Sequence, residues 1–185
     1  MERWISHHWA IFSLAILALS AGWIWLSRPA EDSLNADIPA PQQGFIAPDF
    51  TLNAWEGQTV HLADLRNQVV LINFWASWCP PCKAEMPAIQ AAYQAYSGQG
   101  LAVLGINAAD QDEVSAARQF AQAAGLTFPL LADESGKVFD LYQVKALPTS
   151  FFVDRQGKIT SVVVGGPMAE ALIRSRVEAL LKGSR

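Results

Sequence analysis

The chain's only two cysteines, in 185 residues, stand inside Trp78-Cys79-Pro80-Pro81-Cys82-Lys83. Thiols at this spacing can close an intramolecular disulfide, supply half of a metal site, or exchange electrons with another disulfide. A structural zinc site needs a second Cys or His pair, and beyond the N-terminal stretch the chain offers only His61. A purely structural bridge remains open in an oxidising compartment, although one across so short a loop constrains little of the unfolded chain. Redox exchange asks for a nucleophilic thiol and a resolving partner. The pair supplies both, with Cys79 as nucleophile and Cys82 resolving.

The elements around the pair favour that chemistry. Val69 to Trp75, apolar but for Asn73, reads as a buried strand, and Ala84 to Ala95 reads as a helix, so the cysteines lie where strand hands over to helix. Unsatisfied N–H groups and the positive end of a helix dipole stabilise negative charge there, lowering a thiol pKa from its usual value near 8.5. Cys82 lies about one turn deeper. Pro80 and Pro81 suit a first helical turn, which needs no N–H donors and gains from a preset φ.

Further along, strands and helices alternate. Phe50 to Leu52 and Thr59 to Leu62 are expected to pair as a hairpin around Glu56-Gly57. Leu101 to Asn107 reads as a second buried strand, Asp112 to Ala124 as a helix with an apolar stripe ending at Gly125, and Phe128 to Leu131 as a short strand. Glu134 to Tyr142 reads as a short helix whose Phe139 and Tyr142 belong to the core. Thr149 to Val153 and Lys158 to Val164 form a hairpin across Asp154-Arg155-Gln156-Gly157, and Ala169 to Leu181 is an amphipathic closing helix. This order predicts an α/β domain with a central mixed sheet flanked by helices.

The N-terminus has a different composition. Trp9 to Leu26 is uninterrupted by charge, and eighteen residues at about 1.5 Å each reach roughly 27 Å, enough for a bilayer's hydrocarbon core. Trp4, Trp9, Trp23 and Trp25 cluster at its ends as interfacial anchors do. A cleaved signal peptide is the alternative, with Ala18-Leu19-Ser20 or Ser20-Ala21-Gly22 as the small-residue site. His7 and His8 have no companions to complete a metal site. Residues 27–43 turn polar and proline-bearing, as a flexible linker does, which leaves residues 1–26 as the membrane segment and 44–185 as the folded domain. Net charge is −4 with no long basic run, which argues against nucleic acid as a partner. No nucleotide, metal or haem motif is present, so no cofactor is expected.

The segment from Phe74 through Trp78-Cys79-Pro80-Pro81-Cys82 to Glu85-Met86-Pro87 resembles the active-site stretch of the thioredoxin superfamily, in its membrane-anchored TlpA/ResA-like branch. Ala47-Pro48-Asp49-Phe50-Thr51-Leu52 is similar to that branch's opening strand, Leu62-Ala63-Asp64-Leu65 to its short turn, and Ala146-Leu147-Pro148-Thr149 to the loop with a cis-proline beside the cysteines. The resemblance implies a thioredoxin fold with an N-terminal β-hairpin and an inserted helix-strand unit, preceded by one transmembrane helix. It also implies an extracytoplasmic thiol-disulfide oxidoreductase facing the periplasm, with protein disulfides as substrates and a membrane thiol donor that re-reduces the pair. Cytochrome c maturation, general disulfide reduction and oxidant defence all use this scaffold.

Asn73 stands where thioredoxin has a buried aspartate, which leaves Glu85, three residues after Cys82, as the nearest acid and the expected tuner of the thiols. The other reading of Glu85 is a solvated residue that complements the helix dipole. Trp75, Trp78, Leu147 and Pro148, with the Pro80-Pro81 turn, are expected to form an apolar collar for an extended substrate segment. Trp75 and Trp78 also have a plain packing reading. Two rivals come from other classes. A peroxiredoxin-like peroxidase would carry Pro-x-x-x-Thr-x-x-Cys, whereas Trp75-Ala76-Ser77-Trp78 precedes Cys79. A copper-binding assembly factor would carry three residues between its cysteines and a histidine late in the chain; neither occurs.

Overall fold

The structure, a computed structural model, describes Ser13, residues 15–23, Trp25 and residues 38–183. The chain divides into two units between Leu34 and Asn35. In the first, residues 15–23 are helical, Ser20 Oγ donates to the Ile16 carbonyl at 2.8 Å, and Ile16, Leu17, Leu19 and Trp23 are exposed. Among the described residues no helix is long and apolar enough to cross a membrane. The expected span of Trp9 to Leu26 lies partly outside them, and Trp4, His7 and His8 lie wholly outside.

The second unit is built on a five-stranded mixed sheet. Strands β3 (Val69–Trp75), β4 (Leu101–Asn107), β5 (Leu130–Ala132), β6 (Thr149–Val153) and β7 (Ile159–Val164) lie in the order β5-β4-β3-β6-β7. β3, β4 and β5 run parallel, while β6 is antiparallel to β3 and β7 to β6. Helices α1 (Pro80–Tyr96), α2 (Val114–Ala123), α3 (Lys137–Leu141) and α4 (Glu170–Lys182) flank it, α1 and α4 packing side by side. A separate antiparallel pair, β1 (Thr51–Asn53) and β2 (Thr59–His61), precedes a 3-10 turn at Leu62–Leu65. This is the mixed α/β sheet expected from the alternation of elements.

β3 occupies the centre because every one of its residues is apolar or internally bonded, and all seven are buried, as the middle strand of a two-faced sheet must be. The aromatic core forms against it. Phe74 lies 4.9 Å from Phe139 and 5.3 Å from Tyr142, ring centre to ring centre, and the Tyr142 hydroxyl donates to the Pro48 carbonyl at 2.7 Å. Phe139 and Tyr142 are thus core residues.

Several boundaries move, each for a local reason. α1 begins at Pro80 rather than Ala84, because the two prolines take the first turn, where N–H donors are not needed. α2 starts at Val114 rather than Asp112, whose carboxylate is bonded elsewhere. β5 begins after Pro129, which has no N–H for a ladder, so Phe128 is buried without being strand. α3 is only Lys137–Leu141, since Asp133 takes the N–H groups of Val138 and Phe139 and starts it late. Residues 38–43, the described end of the expected linker, are tied back by Ala40 N–H to the Ile46 carbonyl at 3.0 Å and Ile46 N–H to the Ile38 carbonyl at 3.2 Å.

Candidate active site

The C-terminal end of β3 delivers Ala76, Ser77 and Trp78 to Cys79, the N-cap of α1. Cys79 and Cys82 are joined in a disulfide with 5.3 Å between their Cα atoms. The Cys82 backbone N–H points at Cys79 Sγ from 3.2 Å. That donor, with the helix dipole behind it, stabilises a thiolate on Cys79 once the bond is reduced. Cys79 is 3 % exposed and Cys82 is fully buried.

Trp78 projects outward at 56 % exposure and donates its indole N–H to the Gln111 carbonyl at 3.1 Å. Beside it lies a shallow groove of about 180 Å³ whose walls include Trp78, Gln111, Phe139, Lys145 and Leu147. Leu147 is half-buried and Pro148 buried, and the peptide bond between them is cis. Trp75 does not join this collar. Its ring is fully buried, 6.1 Å from Trp55 and 5.8 Å from Phe120, on the face of β3 opposite Phe74, because alternate residues of a strand face opposite ways.

Glu85 is not a solvated helix residue. It is 1 % exposed, accepting from Asn73 Nδ2 at 2.7 Å and from the Met168 backbone N–H at 2.9 Å, and Asn73 Nδ2 also donates to Ser150 Oγ at 2.9 Å. Burial pushes its carboxyl above the usual range, while the Met168 and Asn73 hydrogen bonds hold it back. Cys82 and Glu85, three apart on α1 and both buried, share its inward face.

The segment 165–168 between β7 and α4 closes this side, and its role was not read from the sequence. Gly165 N–H donates to the Pro148 carbonyl at 2.8 Å, and a Cβ on Gly166 would meet Pro148 Cγ at 2.7 Å and Glu85 Oε2 at 2.9 Å. Only glycine leaves room there, and the Gly-Gly-Pro run was the available signal. Asp112 was missed as well: it accepts from the Ser77 backbone N–H at 2.6 Å, and its only mark in the sequence is its place before a helix. Among the described residues no group of His, Cys, Asp and Glu side chains could hold a metal ion. The arrangement can therefore perform dithiol–disulfide exchange at Cys79, with an ionisable carboxyl buried behind it.

Comparison with known proteins agrees. The profile of the AhpC/TSA family matches residues 44–162. The thiol-disulfide oxidoreductase ResA of Bacillus anthracis is 33% identical over 162 residues, covering 88% of this chain and 91% of that protein. ResA of Bacillus subtilis (strain 168) is 33% identical over 141 residues, covering 76% and 77%. Among solved structures, StoA from Bacillus subtilis superposes with a TM-score of 0.61 at 29% identity, covering 70% of this chain and 96% of that one. A secreted Mycobacterium tuberculosis disulfide oxidoreductase homologous to E. coli DsbE superposes with a TM-score of 0.64 at 28% identity, covering 71% and 96%.

Proposed function

The chain belongs to the AhpC/TSA family, as a ResA-like thiol-disulfide oxidoreductase of the thioredoxin superfamily, and from that premise we propose that it works as a reductase of protein disulfides outside the cytoplasm. The observation that carries the reading is Cys79 at the N-cap of α1, with Cys82 buried one turn behind it and an open groove at its side.

The reaction needs only this chain's residues and the client. The Cys79 thiolate attacks one sulfur of the client disulfide, forming a mixed disulfide and releasing the first client thiolate. Cys82, as its thiolate, then attacks Cys79 Sγ, releases the second client thiolate and leaves the Cys79–Cys82 bond found in this structure. Two electrons pass from the dithiol to the client, and a membrane-borne dithiol donor must return two to the pair. Trp78, the Pro80-Pro81 turn, Leu147 and Pro148 form the docking wall for an extended client segment. Among the described residues the main-chain groups of Leu147 are unbonded, which leaves them free to pair with such a segment.

Glu85 supports the proposed direction of transfer. A reduced pair whose thiolate is strongly stabilised makes an oxidant. A carboxylate on the same inward face as Cys82 raises the cost of a thiolate, favours the disulfide, and so makes the pair a reductant. The N-terminal apolar run and its exposed Leu17, Leu19 and Trp23 support a membrane anchor, and the family resemblance is what supports the periplasmic side for the catalytic domain. Cytochrome c maturation is the client process we put forward from the resemblance. A strain lacking this chain should then lose covalently haem-bearing cytochrome c, and unchanged cytochrome would remove that client.

The mechanism is tested by Cys82→Ser. Attack proceeds but resolution cannot, so a mixed disulfide through Cys79 should accumulate and be released by a small thiol. Release of client as fast as by the parent would overturn the two-cysteine scheme.

A further inference from the structure

The segment that carries Cys79 is held by a carboxylate from another loop. Asp112, in the turn between β4 and α2, accepts three hydrogen bonds: from the Ser77 backbone N–H at 2.6 Å, from the Ser77 hydroxyl at 2.5 Å, and from Asn107 Nδ2 at 2.7 Å. Its neighbour Gln111 gives its carbonyl to the Trp78 indole. Two successive residues of one loop thus hold the two residues that immediately precede Cys79. Asn107, fully buried as the last residue of β4, ties Asp112 to the sheet.

The carboxylate is not committed to helix capping. The N-cap of α2 is Glu113, without a side-chain cap bond, although an aspartate one residue earlier is well suited to that duty. Asp112 is instead turned toward the loop after β3. Both loops leave the C-terminal ends of adjacent parallel strands, where open α/β sheets place their ligands. Bonds to an ionised carboxylate are also the stronger class, and Ser77 engages both oxygens at once.

We propose that Asp112 is a positioning residue that latches Ser77 and Trp78, fixes the wall of the groove beside Cys79, and thereby sets how tightly an extended disulfide-bearing segment docks. The proposal rests on the reading of that groove as the client's docking site. Asp112 touches no reacting atom. It acts through Trp78, whose ring forms one wall while Leu147 forms another.

The test uses the full chain and two substrates: a peptide disulfide long enough to lie in the groove, and bis(2-hydroxyethyl) disulfide, which engages little beyond the sulfur. Asp112→Ala should raise KM for the peptide about tenfold, with kcat/KM falling at least about fivefold more for the peptide than for the small disulfide. Asp112→Asn should recover part of the loss, since one amide oxygen still accepts from Ser77 while the amide nitrogen faces a donor. Ser77→Ala, which keeps the backbone bond and removes only a hydroxyl, should raise KM about threefold; it carries the test if Asp112→Ala does not fold. Equal losses on both substrates, with a lowered melting temperature, would mean general damage and overturn the latch. Leu147→Ala separates the remaining failures. If it raises the peptide KM and Asp112→Ala does not, the latch is wrong and the groove stands; if neither changes KM, the groove reading has failed and takes the latch with it.

Discussion

Glu85 brings a carboxylate into the interior, where Asn73 Nδ2 and the Met168 N–H both donate to it. Its proton affinity is raised chiefly by desolvation. Between the ordinary carboxylate pKa and the raised folded value, the native state holds more protons than the unfolded chain, so stability falls as pH rises through that interval. Glu85→Gln should abolish this part of the slope, read by denaturant unfolding across pH; superimposable parent and variant curves would show that the group does not titrate in the fold. The same substitution removes a negative charge from the inward face of α1. At least one thiol pKa should fall, and the rate–pH profile for a model disulfide should shift to lower pH. Helical spacing from Cys82, the absence of an acid at Asn73 and the family resemblance together point to Glu85 in the sequence. Its burial was not legible, because the donor that fixes it is a backbone N–H from 83 residues further along, and backbone groups leave no residue signature.

The segment 165–168 belongs to no regular element, yet it bonds the Pro148 carbonyl through Gly165 and Glu85 through Met168. Gly166→Ala would drive a methyl against the Pro148 ring and the Glu85 carboxylate. Overpacking of this kind costs about 1–3 kcal/mol, and here the strain falls on Pro148 and Glu85, both members of the proposed site. Turnover of a peptide disulfide should drop while the fold persists, as followed by activity together with denaturant melting; full turnover with lowered stability would detach this loop from the site. β4 and β6 match their expected bounds to the residue, because each is a mostly apolar, strand-length run set off by turn or loop residues, Gly100 before β4 and Pro148 and Asp154 on either side of β6. Helix starts were less legible. At α1 the sequence offers two prolines that either precede a helix or open one, and at α2 it offers an aspartate whose partner, Ser77, lies 35 positions earlier.

At the scale of the molecule, the mixed sheet places the C-terminal ends of β3 and β4, the cis Leu147-Pro148 loop and the start of α1 together, and each contributes one part of the redox site. The N-terminal apolar run belongs to a separate unit. The full chain should sediment with membranes and resist alkaline carbonate, whereas a chain beginning at residue 38 should stay in solution. Equal solubility of the two would remove the anchor. Whether the Cys79–Cys82 pair reduces its clients is decided by its reduction potential at neutral pH in equilibrium with a glutathione or dithiothreitol buffer. A value near the thioredoxin end of the scale, about −270 mV, is expected from the buried carboxylate that opposes thiolate formation. A value near that of the strong oxidant DsbA, about −120 mV, would contradict it.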